Sequence, residues 1–415
     1  MSLGLLLACS SVVTAQSPTS CAREVVVQPG DTLASLAEQY YGEASAYGEI
    51  LAATNAQAAL DASFARIANP NLIGAGWKLC LPGLPQPATD RASRNAGQPP
   101  VQAMSANPLV ALMPLIQRIS RLSIPNLRSE DHPGSLIDLE ETLTPGPNYN
   151  RYLASYRSEG LKIYALMTIP SEPMPPGGWP VIVFNHGYMP PDRYQSTSGY
   201  EEHIDAFARH GYIVFRPDYR GYGNSQGEAA GGYDIPNYTV DVLNAVASLQ
   251  QFPQAAPHRV GMWGHSLGGT ITLYSMESGA EIKAGVIWAG VVGSYPDLLA
   301  LWESHPALLP SQATAWRDLL LNTFGAPDQN PVFWNPISPL NYLADLSGPL
   351  QLHHGSNDES VPAEFSRQLA QQAQAAGKIV DYYEYPGDDH NLSLSSATAL
   401  ERSLAFFDYY LKPKG

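Results

Sequence analysis

An α/β fold, with a mainly parallel sheet and helices on both faces, is what this 415-residue chain predicts for its larger part, with a small β-α-α-β module ahead of it. Three observations carry that prediction. First, six apolar runs (Val181–Phe184, Tyr212–Arg216, Val260–Trp263, Ala284–Ala289, Leu350–Leu352 and Val380–Tyr385) alternate with stretches of helical spacing. Such alternation builds parallel strands joined by covering helices. Second, the third run leads into Gly264-His265-Ser266-Leu267-Gly268, and a helix-like stretch follows from Leu267 to Glu277. Third, residues 290–346 are too long for an ordinary crossover and hold three of the seven tryptophans, Trp302, Trp316 and Trp334, which suggests a helical cap. The alternative for these aromatics is a purely structural excursion with its own core. A hydrophobic content of 44% is enough for one large core and a satellite.

Taken in chain order, residues 1–22 read as an export signal and short tether. Leu6-Leu7-Ala8-Cys9 resembles a bacterial lipobox, whose cysteine becomes the lipidated N-terminus. No Lys or Arg precedes the apolar run, and the run is shorter than the usual signal core. An upstream start is one reading of that shortfall; cleavage after Val13-Thr14-Ala15, which discards Cys9, is another. Each predicts an extracytoplasmic protein, either a lipoprotein of the bacterial cell envelope or a secreted one. No later stretch is long and apolar enough to span a bilayer, so a lipid on Cys9 is the one membrane attachment expected.

Residues 23–83 form the small module. Val25-Val26-Val27-Gln28-Pro29-Gly30-Asp31-Thr32-Leu33 is a short strand, a Pro-Gly turn and a helix cap. Leu33, Leu36, Ala37, Tyr40 and Tyr41 fall on one helical face. A second helix fits Tyr47 to Thr54, and Gly76 to Pro82 reads as a returning strand. This order, with Pro29-Gly30-Asp31-Thr32-Leu33, Ala53-Thr54-Asn55 and Gly76-x-x-Leu79-x-Leu81-Pro82, resembles a LysM domain. The resemblance implies binding to N-acetylglucosamine-containing glycan, peptidoglycan or chitin-like, with contacts at Gly30, Asp31, Thr32, Asn71, Leu72 and Ile73. The Gly-Asp-Thr run also serves as a plain turn and cap. Cys21 and Cys80 bracket the module. They are either two unpaired thiols or a bridge; a bridge would add about 4 kcal/mol in the chain-entropy model and would last only in an oxidising compartment.

Residues 84–125 are a linker, rich in Pro, Ala, Gln and Ser from Gly83 to Asn107, with a candidate docking helix from Leu109 to Leu122. Charge changes beyond it. The first 125 residues hold seven basic and seven acidic side chains, which leaves 16 basic against 31 acidic for the remainder and accounts for the whole net charge of −15. An acidic catalytic half argues against nucleic acid and anionic lipid as partners. Solubility explains such a charge as well as a taste for cationic substrates does.

Residues 126–415 carry the chemistry. G-x-S-x-G between a strand and a helix is the nucleophile elbow of α/β-hydrolases, in which the acid and then the histidine follow the serine. Ser266 is therefore the expected nucleophile. Gly223-Asn224-Ser225-Gln226-Gly227 matches the same pattern, but the glycine-broken stretch after it has no helical period, so Ser225 reads as a loop residue near the site mouth. Downstream lie His305, in the cap, His353 and His354, ending an apolar run, and His390, on the last loop before a closing helix from Ser395 to Leu411. Asp358 sits on the turn after His353-His354, with Glu359 as its rival, while Asp388 and Asp389 read as turn formers. The triad is thus Ser266, Asp358 and His390. The oxyanion donors expected are the amides of Leu267 and of Tyr188, the latter ending the run Pro180 to Tyr188. His186 precedes the serine and reads as a brace for that turn.

Together Val181–Tyr188, Asp218–Gly227, Gly264–Gly269, His354–Pro362 and Gly387–His390 resemble the prolyl oligopeptidase family and its esterase relatives, from about Tyr152 to the C-terminus. Peptidases of that family usually carry a β-propeller before the catalytic domain, and no blade-length repeat occurs here. The resemblance implies a serine-type peptidase, with carboxylesterase as the alternative. A glycan-binding protein with a silent hydrolase half is a third reading. No metal spacing and no dinucleotide fingerprint occurs, so neither metal nor cofactor is expected.

Overall fold

The computed structural model describes residues 21, 23–28, 31–41, 47–58, 60–67, 73–82, 121, 123–229, 235–304 and 311–413. The expected sites at Cys9, Gly30, Asn71 and Leu72 lie outside these residues, as do His305 and all of the expected docking helix except Arg121. The chain divides into two compact units between residues 102 and 103.

In the first unit, β1 (Arg23–Val26) pairs antiparallel with β2 (Lys78–Leu81), and α1 (Leu33–Tyr41) and α2 (Tyr47–Ala58) lie between them in sequence. Leu33, Leu36, Ala37, Ile50, Leu79 and Leu81 make the core. The second helix runs a turn beyond the expected Thr54 because Thr54 and Asn55 work inside it. The Thr54 hydroxyl accepts from Cys80 N–H at 2.9 Å, and the Asn55 amide pairs both ways with Ile67 at 2.8 and 2.9 Å. Cys21 and Cys80 are joined in a disulfide, closing a loop over 59 residues.

The second unit is a nine-stranded sheet. Its strands in chain order are β3 (Asp138–Leu143), β4 (Tyr149–Ser158), β5 (Leu161–Pro170), β6 (Trp179–Asn185), β7 (Ile213–Pro217), β8 (Ala255–His265), β9 (Ala284–Trp288), β10 (Leu350–Gly355) and β11 (Val380–Tyr385). Across the sheet the order is β11-β10-β9-β8-β6-β7-β5-β4-β3. From β7 to β11 all pairings are parallel, whereas β3, β4 and β5 add an antiparallel edge. All six expected strands are present. The three edge strands went unread: β3 is exposed along nearly its whole length and offers no apolar period, whereas β5 is buried from Ala165 to Pro170 and its apolar run was there to be read. Glu159 and Gly160, both at positive φ, close the β4–β5 hairpin.

Strand side chains alternate between two helical layers. Val181, Val183, Phe215 and Met262 pack toward α5 (Ile235–Gln250), α6 (Leu267–Glu277) and α10 (Ala363–Ala375). Ile182, Phe184, Val214 and Trp263 pack toward α4 (Glu201–Arg209) and α11 (Ser396–Leu411). Just past the expected docking helix, α3 (Ile124–Ser129) buries Ile124 and Leu127 against Val240 and Tyr274. The insertion expected as a cap holds α7 (Tyr295–Ser304), α8 (Ser311–Phe324) and α9 (Pro331–Ile337). Trp334 is part of its small core with Tyr295, Leu320 and Ile337, its indole N–H donating to Gly325 O at 3.0 Å. For this tryptophan the structural role holds.

The position of the site follows from the strand order. The connection after β6 runs to β7 and that after β8 runs the opposite way to β9, so these neighbouring strands part in opposite directions, and Asn185 of β6 pairs with Gly264 of β8. The loops after these strands therefore emerge side by side at the carboxyl edge, where open α/β sheets bind ligands.

Candidate active site

Ser266 stands between β8 and α6 with φ 56° and ψ −119°, a conformation that L-residues rarely hold. Such a residue costs on the order of 1–3 kcal/mol and persists only where its surroundings over-determine it. Here they do: Ser266 N–H donates to Trp288 O at 3.0 Å, and its carbonyl accepts from Gly269 and Val291 at 2.9 and 3.2 Å. The glycines of the motif are sterically required. A Cβ on Gly264 would overlap the Gly268 carbonyl and the Thr272 hydroxyl, and one on Gly268 would overlap the Asn185 carbonyl. Tyr219 and Ala289, after β7 and β9, also have positive φ, so backbone strain gathers along this edge.

The other two members of the expected triad meet each other. His390 Nδ1 lies 2.7 Å from Asp358 Oδ2; a carboxylate only accepts, so Nδ1 carries the proton and Nε2 is free to take one. The Asp358 side chain is fully buried and the His390 side chain is 20% exposed. Burial alone would raise the Asp358 pKa. Hydrogen bonds from His354 and His390, the His390 charge and the Val361 N–H outweigh it and hold the carboxyl well below the usual range. His354 was not assigned a role from sequence. Its Nε2–H is shared between Asp358 Oδ2 at 3.1 Å and Val361 O at 2.9 Å, so it braces the acid from behind. The His390 ring lies 4.8 Å, centroid to centroid, from that of His265, the residue before the serine.

On the oxyanion side, Leu267 opens α6, where a first-turn N–H has no intrahelical acceptor. Gly187 abuts the elbow closely enough that a Cβ there would lie 3.3 Å from Ser266 Cβ, which brings Tyr188 beside it. Among the described residues, neither the Leu267 nor the Tyr188 N–H meets a protein acceptor.

The rival residues are occupied elsewhere. Ser225 is 8% exposed and its hydroxyl accepts from Tyr164 N–H at 2.9 Å, so it is a buried tie between a loop and β5. Glu359 is exposed. Asp389 caps its own turn through Asn391 N–H, Ser393 N–H and the Ser393 hydroxyl, and Asp388 accepts from Asp389 and Leu394. His186 is fully buried and stacks on Tyr219 at 4.3 Å, with its pKa lowered to about 3 by burial and by Arg216. His353 is likewise buried, its Nδ1 against the Tyr385 hydroxyl.

In the small module the described glycan-contact candidates are engaged locally. The Asp31 carboxylate accepts from Gln28 N–H at 2.8 Å, and Thr32 and Ser35 cap the start of α1 reciprocally at 2.8 and 2.9 Å. Ile73 packs against the module's core. Among the described residues, no helix is long and apolar enough to cross a membrane.

Comparison with known proteins gives the family and the fold. The prolyl oligopeptidase family matches residues 198–414, and the LysM domain matches residues 25–82. "Uncharacterized peptidase YtmA" of Bacillus subtilis (strain 168) is 26% identical over 261 residues, which covers 61% of this chain and 91% of that protein. Pyrococcus horikoshii acylaminoacyl peptidase superposes with a TM-score of 0.51 at 23% identity, over 65% of this chain and 42% of its own, so the present chain spans less than half of that structure. Acetyl xylan esterase from Paenibacillus sp. R4 superposes at 0.53 with 15% identity, over 69% and 92%. At such identities these two likenesses are of fold, the α/β-hydrolase fold.

Proposed function

Because the chain belongs to the prolyl oligopeptidase family and is a serine hydrolase with an added LysM domain, we propose that it cleaves peptide bonds through an acyl-enzyme on Ser266, outside the cytoplasm and on a glycan held by the LysM domain. His390 Nε2 takes the proton of Ser266 Oγ as the oxygen attacks the carbonyl carbon. The resulting oxyanion is held by the amides of Leu267 and Tyr188, and His390 then returns the proton to the leaving amine. Water, deprotonated by the same imidazole, releases the acid and restores Ser266. The observation that supports this most is the 2.7 Å contact of His390 Nδ1 with Asp358, which leaves Nε2 as a base on a loop beside the strained elbow.

Carboxylic-ester hydrolysis is the second reading, since the same machinery serves both and an acetyl xylan esterase shares the fold. In either case the LysM domain would bring wall-linked substrate to the site. Anchoring through a lipid on Cys9 and release as a secreted protein are the two routes of export. The deciding experiment compares wild type with Ser266→Ala on aminoacyl p-nitroanilides and p-nitrophenyl acyl esters. Anilide turnover that the variant lacks supports the peptidase, and turnover of esters alone makes the protein a carboxylesterase. Glycan binding without turnover or labelling by an active-site phosphonate would leave only the binding role.

A further inference from the structure

Three loops must hold one register for the chemistry above: the loop of Gly187 and Tyr188, the elbow of Ser266, and the loop of His390. One side-chain pair touches all three. The Tyr200 hydroxyl lies 3.0 Å from Gly187 N and 2.9 Å from His265 Nδ1, and His265 Nε2 lies 3.0 Å from the His390 carbonyl oxygen.

The direction of each bond is dictated by the two ends. A peptide N–H only donates and a peptide carbonyl only accepts. His265 must therefore carry its proton on Nε2, giving it to His390 O, and accept at Nδ1. Tyr200 must accept from Gly187 and donate to His265. No other arrangement satisfies all the groups while His265 is neutral, and burial, followed by the nearby His390 charge, lowers its pKa to about 3.

The surroundings hold the pair in place. Tyr200 has φ 59° and caps the start of α4, which turns its ring onto Phe184 and Trp263 at centroid distances of 5.3 and 5.9 Å. His265 is 7% exposed and roughly parallel to the Trp263 indole. A Cβ at Gly187 would come within 3.0 Å of the Tyr200 hydroxyl and 3.2 Å of His265 Nδ1, so the glycine is what lets the loop approach the pair.

We propose that Tyr200 and His265 are positioning residues, a one-way hydrogen-bond relay that fixes the oxyanion loop and the backbone of the general base against the nucleophile elbow. His390 is then held at both ends, its imidazole by Asp358 and its carbonyl by His265. The residue between glycine and serine in the elbow motif is thus the central member of the relay. This inference rests on the triad reading, and a displacement of about 1 Å among such groups costs up to about 100-fold in rate.

The test uses the full chain with Tyr200→Phe, which keeps the ring packing and removes only the hydroxyl, together with His265→Gln and the double variant. On a p-nitrophenyl ester, Tyr200→Phe is expected to lower kcat tenfold to a hundredfold with KM within twofold. Phosphonate labelling of Ser266 should slow in parallel yet reach completion. The double variant should lose little beyond the worse single variant, because the two residues act as one unit. Selective 15N-histidine spectra give a readout that packing alone would not move: the Nε2–H tautomer of His265 should persist in Tyr200→Phe, because His390 O still accepts it, while the Nδ1 resonance shifts as it loses the Tyr200 donor. Unchanged kcat, additive losses, a kcat loss matched by a lowered melting temperature, or an unchanged His265 Nδ1 resonance would each overturn the relay. If wild type itself is not labelled, the triad reading fails, and the His265 Nδ1 comparison still judges the relay.

Discussion

Replacing Asp358 with Asn tests the triad through hydrogen-bond counting. Asp358 Oδ1 accepts from Ser360 N–H at 2.8 Å and Val361 N–H at 2.9 Å, while Oδ2 accepts from His390 Nδ1–H at 2.7 Å and His354 Nε2–H at 3.1 Å. All four partners donate, and asparagine supplies one accepting oxygen and one donating NH2. With the oxygen at the Oδ2 position, two backbone donors lose their partner, at about 1–3 kcal/mol each where they are buried. With the oxygen at the Oδ1 position both are kept, and His354 still has the Val361 carbonyl at 2.9 Å. The second orientation wins, and it aims an NH2 at His390. The imidazole must then move its proton to Nε2 to accept at Nδ1, and in that tautomer it has no lone pair for the proton of Ser266. The expected loss is about 10⁴-fold in kcat, the size of the same exchange in a serine protease triad, or about 5 kcal/mol of transition-state stabilisation. The assay is kcat on a saturating p-nitrophenyl ester at pH 7, with melting temperature as the control for folding. A kcat within tenfold of wild type, or an equal loss from Glu359→Gln, would refute the reasoning.

Two stability predictions follow from burial and linkage. Glu277, at the end of α6, is fully buried with neither carboxyl oxygen bonded among the described residues; burial, only partly offset by Arg128, raises its pKa well above 4.5. The unfolded chain thus loses this proton first as pH rises past about 4.5, so folding stability falls from there at up to about 1.4 kcal/mol per pH unit. Urea midpoints from pH 5 to 8 should show Glu277→Gln gaining on wild type as pH rises, and parallel curves would exclude this. Changing Cys21 and Cys80 together to Ser opens the 59-residue loop and should cost the LysM unit about 4 kcal/mol. Urea-dependent loss of binding to insoluble peptidoglycan reads that cost, while ester turnover should stay at the wild-type level.

Much of this site was legible because its chemistry imposes order along the chain. Ser266, Asp358 and His390 each follow a strand whose apolar run is visible, and turn residues mark the loops that carry them. Strand identity was equally plain in β6 to β10, where both faces are buried, yet was missed all the same in β5, buried from Ala165 to Pro170. It failed at β3, whose outward side chains leave no period, although the Glu159-Gly160 turn between β4 and β5 was a usable hairpin signal.

The relay and the His354 brace were hidden for a different reason. Tyr200 lies 65 residues from His265 in sequence, and their meeting depends on a left-handed cap at Tyr200 that no periodicity announces. His354 looked like the end of a strand because its backbone is one; only the fold turns its ring beneath Asp358. The residues proposed to perform the chemistry are thus announced by motif, because their types are few and their order is set by strand succession. The residues that hold them in register are drawn from common types at unconstrained spacing. They become visible only when donors and acceptors are counted in three dimensions, where Gly187 N–H and His390 O leave Tyr200 and His265 a single arrangement.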